Sequence, residues 1–241
     1  MATKRAPKRN ASSDTVMSLM SQMAPMPSNP QPEKQAAARG SRALQEAVNA
    51  VTMLPHTAMV LMSSEPVPLV FRALVTLHTC ASIFFHVVLV GQHTQMPSVT
   101  SRPRLAQRAM NVDMALIFAI SLTANMMLAT SFRSGAVGVA LAAVGIYGTV
   151  NSKAVDRRDV EAELMRFRYP LVFLTITSEA LLAWLCRGDA VNAAGIFGTI
   201  CIIGGLSLAD DALGGWGHPL GHLACIPGMC FRSGALLGST R

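Results

Sequence analysis

The sequence predicts an all-α fold: a polytopic membrane protein whose seven-transmembrane helix bundle follows a disordered basic N-terminal tail. Three observations carry that reading. Of 241 residues, 51% are hydrophobic and only 14% charged, where a soluble domain carries about 25% charged residues. The uncharged residues gather into long apolar runs, and mean hydropathy is +0.40. The basic residues collect ahead of those runs and in alternate connections between them, as the positive-inside distribution requires.

Residues 1–42 form the tail. Lys4, Arg5, Lys8, Arg9, Lys34, Arg39 and Arg42 stand against Asp14 and Glu33 alone, a large part of the formal net charge of +7. The stretch is rich in Ser, Pro, Met and Ala and has no apolar core segment, so it is not a secretory signal peptide. It reads as a disordered cytosolic tail, with an organellar transit peptide as the alternative. Its basic residues are not interleaved with aromatics, so nucleic-acid binding is not expected.

Residues 43–241 hold the seven predicted spans. The first, near 44–63, is the least apolar and contains Glu46, Pro55 and His56. The second covers about 67–91, the third 112–131, the fourth 134–150, the fifth 169–186 and the sixth 190–208. The seventh, about 216–231, reads as short and broken by Gly and Pro, against the roughly 20 residues a span needs. Arg102, Arg104 and Arg108 lie between spans two and three. Lys153, Arg157, Arg158, Arg166 and Arg168 lie between spans four and five. The opposite connections are short. This places the N-terminus and the basic loops in the cytoplasm, and the C-terminus outside. An endomembrane or the plasma membrane is the expected location. Gly135, Gly138, Ala142 and Gly145 make one face of span four small, which suits close helix packing. The five cysteines contain no CxxC pair. They read as small hydrophobes rather than thiolate metal ligands.

Ionisable groups inside spans are costly and therefore informative. His78, Ser82 and His86 follow at i, i+4 and i+8 in span two, the last two within "SIFFH". Asp113 opens span three, and Glu179 lies in span five. Asp210, Asp211, His218 and His222 sit at the entrance of span seven, in "DDALGGWGHPLGH". His218 and His222 are four apart, a spacing that aims both imidazoles at one point, as a zinc site requires. It also suits two interfacial or hydrogen-bonded histidines. Pro219 between them is tolerated only if the helix begins close to His218. On the predicted topology His86, Asp113, His218 and His222 all fall on the same side of the membrane.

With Ser82 and His86 in span two, Asp113 in "NVDMAL" and HxxxH in "HPLGH", the chain resembles the seven-span membrane hydrolase superfamily. That superfamily includes the alkaline ceramidases and the progestin/adiponectin receptors. The resemblance covers about 44–238 and implies a zinc ion held by His86, His218 and His222, with a water in the fourth position. It implies catalytic roles for Asp113, acting on the water or orienting a ligand histidine, and for Ser82, hydrogen-bonding the water or an oxyanion. The implied partners are membrane lipids, and the implied substrate is a ceramide-like lipid amide or ester. The alternative functions are a non-catalytic receptor or scaffold, or a transporter with polar residues lining a cavity. Among the remaining polar groups, His78 reads as a buried hydrogen-bonded histidine, and His56 and His93 as interfacial. Asp210 and Asp211 read as caps of the last helix, with a supporting role for Asp211 beside the histidines as an alternative. Glu179 is open between a functional and a structural role.

Overall fold

The computed structural model describes residues 32–62, 67–100, 104–154 and 157–238. The chain divides into two compact units, Met1–Ala37 and Ala38–Arg241. Of the first unit the described residues are 32–37, all helical; the rest of the predicted tail lies outside the described residues. Residues 38–42, also expected in the tail, are helical.

The described residues are helical with no strand. In chain order the helices are α1 (Pro32–Thr52), α2 (Leu54–Leu61), α3 (Leu69–His93), α4 (Pro97–Thr100), α5 (Leu105–Leu128), α6 (Phe132–Val150), α7 (Arg157–Glu163), α8 (Tyr169–Arg187), α9 (Ala190–Leu208) and α10 (Gly217–Leu237). A π-helical segment, Leu164–Arg168, joins α7 to α8. Pro170 follows it. A proline clashes with the carbonyl four residues back, and widening the preceding turn is one way to relieve that clash.

Among the described residues, six helical stretches are long and apolar enough to cross a membrane: α3, α5, α6, the π-segment with α8, α9, and α10. The chain is thus an integral, multi-pass membrane protein. Its outer surface agrees: Leu69, Phe132, Val191 and Leu208 are each more than three-quarters exposed. Water would penalise so much bare apolar surface, whereas hydrocarbon does not.

Two predicted spans differ from expectation. The first falls on α1 and α2, which meet at Met53 and are not among the six. Pro55, in the first turn of α2, cannot donate to the preceding turn, so one continuous helix is lost there. The buried face of this segment carries a polar stripe, Gln45, Asn49, Thr52 and His56 at i, i+4, i+7 and i+11, beside the apolar Met53 and Val60. That stripe lowers its hydropathy. The last span, expected to be short, is a 21-residue helix that continues through Pro227. Neighbouring helices can compensate the freed backbone groups within a bilayer.

The bundle is built from neighbours in sequence. α3 packs on α5, α5 on α6, and α9 on α10, with α8 against α5, α6 and α9. Phe71, Val75, Ile120, Ala124, Leu128, Ala183 and Ile196 belong to its main apolar core. The small face of α6 is buried as its composition suggests. A side chain at Gly138 would collide with Asn125, and one at Gly145 with the Phe118 ring. Turns are closed locally. Ser131 and Ser134 form a reciprocal capping box at the start of α6. Gly188, at φ 67°, ends α8, and Asp189 Oδ1 accepts from Asn192 N at 3.1 Å to start α9.

Buried polar groups in the spans answer one another. Asn125 Nδ2 donates to the Ser121 carbonyl at 2.8 Å, and Ser178 Oγ donates to Asn125 Oδ1 at 2.6 Å. Arg232, which lies within α10, reaches Glu179 through Nε at 2.7 Å and Nη2 at 2.6 Å, and Nη2 also donates to Ser121 Oγ at 2.9 Å. Glu179 is therefore fully buried as half of a two-pronged ion pair between α8 and α10. Of its two expected roles, the structural one accounts for what it touches.

Candidate metal centre

His86 reaches the interior because it ends a stripe of inward residues on α3. Phe71, Val75, Thr79, Ser82 and His86 recur every three or four positions and are all buried. His218 and His222 stand one turn apart at the start of α10. The helix begins at Gly217, so Pro219 falls in the first turn, where a missing N–H breaks no helical bond. Asp210 Oδ1 accepts from the His218 backbone N at 3.1 Å and so caps that end. Gly217, Pro219 and Gly221 are buried at the same turn.

The three imidazoles converge. Ring centroids are 5.5 Å apart for His86 and His218, 5.2 Å for His86 and His222, and 4.6 Å for His218 and His222. One nitrogen from each lies within 4.8 Å of the other two, so the trio can hold a metal ion. His86 is buried, His222 half-buried and His218 the most exposed of the three residues.

The outer partners select which nitrogen faces the cluster. His86 Nδ1 lies 2.7 Å from Glu46 Oε2. A carboxylate only accepts, so Nδ1 carries the proton and Nε2 keeps its lone pair. His222 Nδ1 lies 3.3 Å from the Asn49 carbonyl and 3.3 Å from Thr52 Oγ1. Thr52 Oγ1 spends its own proton on the Asn49 carbonyl at 2.9 Å, so both atoms near the ring are acceptors. His222 is thereby also set with Nε2 unprotonated. This pairing of a ligand histidine with an outer oxygen is how metal-binding imidazoles are oriented.

All of these outer contacts come from α1 and α2. Gln45 Nε2 donates to the Gly214 carbonyl at 2.7 Å, ahead of α10. His56 Nε2 donates to the His222 carbonyl at 2.9 Å, and Thr57 Oγ1 to Thr79 Oγ1 at 2.7 Å. His56, expected at the interface, is thus buried against α10. Sequence reasoning assigned Glu46, Asn49 and Thr52 no part in the site. The helical spacing of Gln45, Asn49, Thr52 and His56 marks one polar face but not what it meets, and Glu46 lies off that stripe.

Asp113 is buried on α5, and His78 Nε2 approaches its Oδ1 to 3.3 Å. That approach lacks hydrogen-bond geometry, and Asp113 Oδ1 is left without a hydrogen-bond partner. Asp113, Glu46 and Asp210 all lie within electrostatic reach of the His218 ring. Ser82 is buried one turn from His86. His78 thus faces Asp113, not the trio. Asp211 is exposed.

Fold and site together define a multi-pass membrane protein with a three-histidine cluster suited to a metal ion. No protein-family model, curated protein or solved structure matches this chain.

Proposed function

We propose that the chain is a zinc-dependent intramembrane hydrolase acting on a lipid amide or ester, on the ceramidase-like pattern its motifs resemble. The observation that carries this reading is the convergence of His86, His218 and His222, with Nε2 of His86 and of His222 left free by their outer acceptors. The donor set fits. Three neutral imidazoles with one open side are a catalytic zinc pattern, and Asp113 Oδ1 is a buried oxygen in want of a donor nearby. Bound there, zinc supplies a Lewis acid and brings the pKa of a coordinated water to about 7.

The remaining chemistry belongs to the chain. Asp113 Oδ1 would take a proton from the attacking water as it adds to the carbonyl carbon, and would return that proton to the leaving amine or alcohol as the C–N or C–O bond breaks. His78 Nε2 stands 3.3 Å from the same Oδ1. The Ser82 hydroxyl donates to the developing oxyanion. Substrate enters from the bilayer on the His218 side. On this reading α1 and α2 are the seventh membrane element. They hold their place through polar contacts to the site rather than through apolarity.

Elemental analysis of detergent-purified protein tests the proposal. About one zinc per chain is expected, lost in His218→Ala/His222→Ala. Asp113→Asn should keep the zinc and lose hydrolysis of lipid amides and esters by about a hundredfold or more. Native protein that takes up no zinc would overturn the reading. Zinc bound with Asp113→Asn fully active would overturn the role of Asp113.

A further inference from the structure

A second polar recess lies apart from the histidines, where α5 begins and α6 has just ended. Arg104, Gln107, Arg108, Asn111, Ser152 and Lys153 frame a volume of about 340 Å³. That is at the small end of ligand-sized pockets, roughly 300–1,000 Å³.

Among the described residues, no carboxylate pairs with its cations. The acid closest in the hydrogen-bond network, Glu163, is already engaged. Its Oε1 accepts from Arg168 Nε at 2.9 Å and Nη2 at 2.7 Å, and its Oε2 from Ser152 Oγ at 2.6 Å. Among the described residues, the side chains of Arg104, Arg108 and Lys153 make no ion pair or hydrogen bond. By contrast Arg168, Arg187 and Arg232 all have partners. Asn111 Oδ1 is taken by Gln107 at 2.9 Å and by Arg168 at 3.0 Å, so its amide nitrogen is the group left to donate.

With α5 crossing the bilayer, the recess falls at the depth of lipid headgroups. The 24 residues of α5 run about 36 Å at 1.5 Å per residue. A hydrocarbon core is about 30 Å thick, so the ends of α5 project past it. Basic pockets between helices at that level suit phosphate-bearing headgroups.

We infer that Arg104, Arg108 and Lys153 form a binding site for a phosphate group, presented by an anionic lipid headgroup or by free phosphate. The inference does not depend on the metal reading. The site holds the phosphate by charge and amide donation, and no bond is made or broken.

The test uses full-length protein in zwitterionic nanodiscs and follows thermal stabilisation by three probes: short-chain phosphatidic acid, short-chain phosphatidylcholine and inorganic phosphate. Phosphatidic acid should bind, and phosphatidylcholine should not. Arg104→Gln/Arg108→Gln/Lys153→Gln should weaken phosphatidic acid about a hundredfold, at roughly fivefold per cation. The single variant Lys153→Gln should weaken it about fivefold, which keeps the test sound if the triple variant misfolds. Phosphate matching phosphatidic acid would make free phosphate the source, and phosphate binding far more weakly would make it the lipid. Equal binding of the two lipids, or affinity unchanged in the variants, would overturn the site.

Discussion

Glu46 Oε2 accepts from His86 Nδ1 at 2.7 Å and from Asn49 Nδ2 at 3.2 Å, on the least apolar of the expected spans. If the histidines hold zinc, that carboxylate fixes the His86 tautomer and raises the basicity of Nε2. Removing such an outer partner weakens metal affinity about 10–100-fold. Glu46→Ala should therefore loosen zinc by that factor in a competition titration with a chromogenic chelator. Glu46→Gln, which can still accept through its amide oxygen, should recover part of the loss. A loss of fold alone would lower helical content in both variants and would not separate them. Equal zinc affinity in Glu46→Ala and native protein would show that His86 needs no help from α1.

At the scale of elements, α8 and α10 are joined by the Arg232–Glu179 pair inside the bundle. Breaking a buried pair by truncating one member leaves the other charged and unpaired, at a cost of about 3–5 kcal/mol. Arg232→Met should lose that much in unfolding from mixed micelles. The double variant Arg232→Met/Glu179→Met should recover most of it, because an apolar pair of similar volume is close to neutral. Additive losses would mean the two side chains act separately. The same elements show what can be read from sequence. The cores of α3, α5, α6, α8 and α9 announce themselves as apolar runs, and the small face of α6 as a packing surface. α10 reads short because Gly and Pro lower its apparent helicity, although helix neighbours sustain it. α1 and α2 are the hardest to read. Hydropathy averages every residue in its window, and the buried polar residues Gln45, Asn49, Thr52 and His56 pull that average down. His86, His218 and His222 were legible because ligand spacing is local. Glu46 and Asn49 were not, since their partners lie 40 and 173 positions away in the chain.

For the whole molecule, the six apolar helices alternate in direction if each crosses the bilayer. The ends of α3, α6 and α9 then share a side with the starts of α5, α8 and α10. The histidine cluster lies toward that side, since it joins the later turns of α3 to the first two turns of α10. The phosphate recess lies there too, with the basic connections around Arg104 and Lys153. Placing the uncompensated cations at that end is what positive-inside insertion favours. Labelling with a membrane-impermeant maleimide in a cysteine-free background tests the arrangement in sealed vesicles. Lys153→Cys and Asp211→Cys should react from one side, and Arg133→Cys only after the vesicles are opened to the other. α6 alone separates Arg133 from Lys153, so reaction of both from one side would mean that α6 does not cross. α10 would then start on the wrong side, and the metal centre and the phosphate recess would no longer face the same compartment.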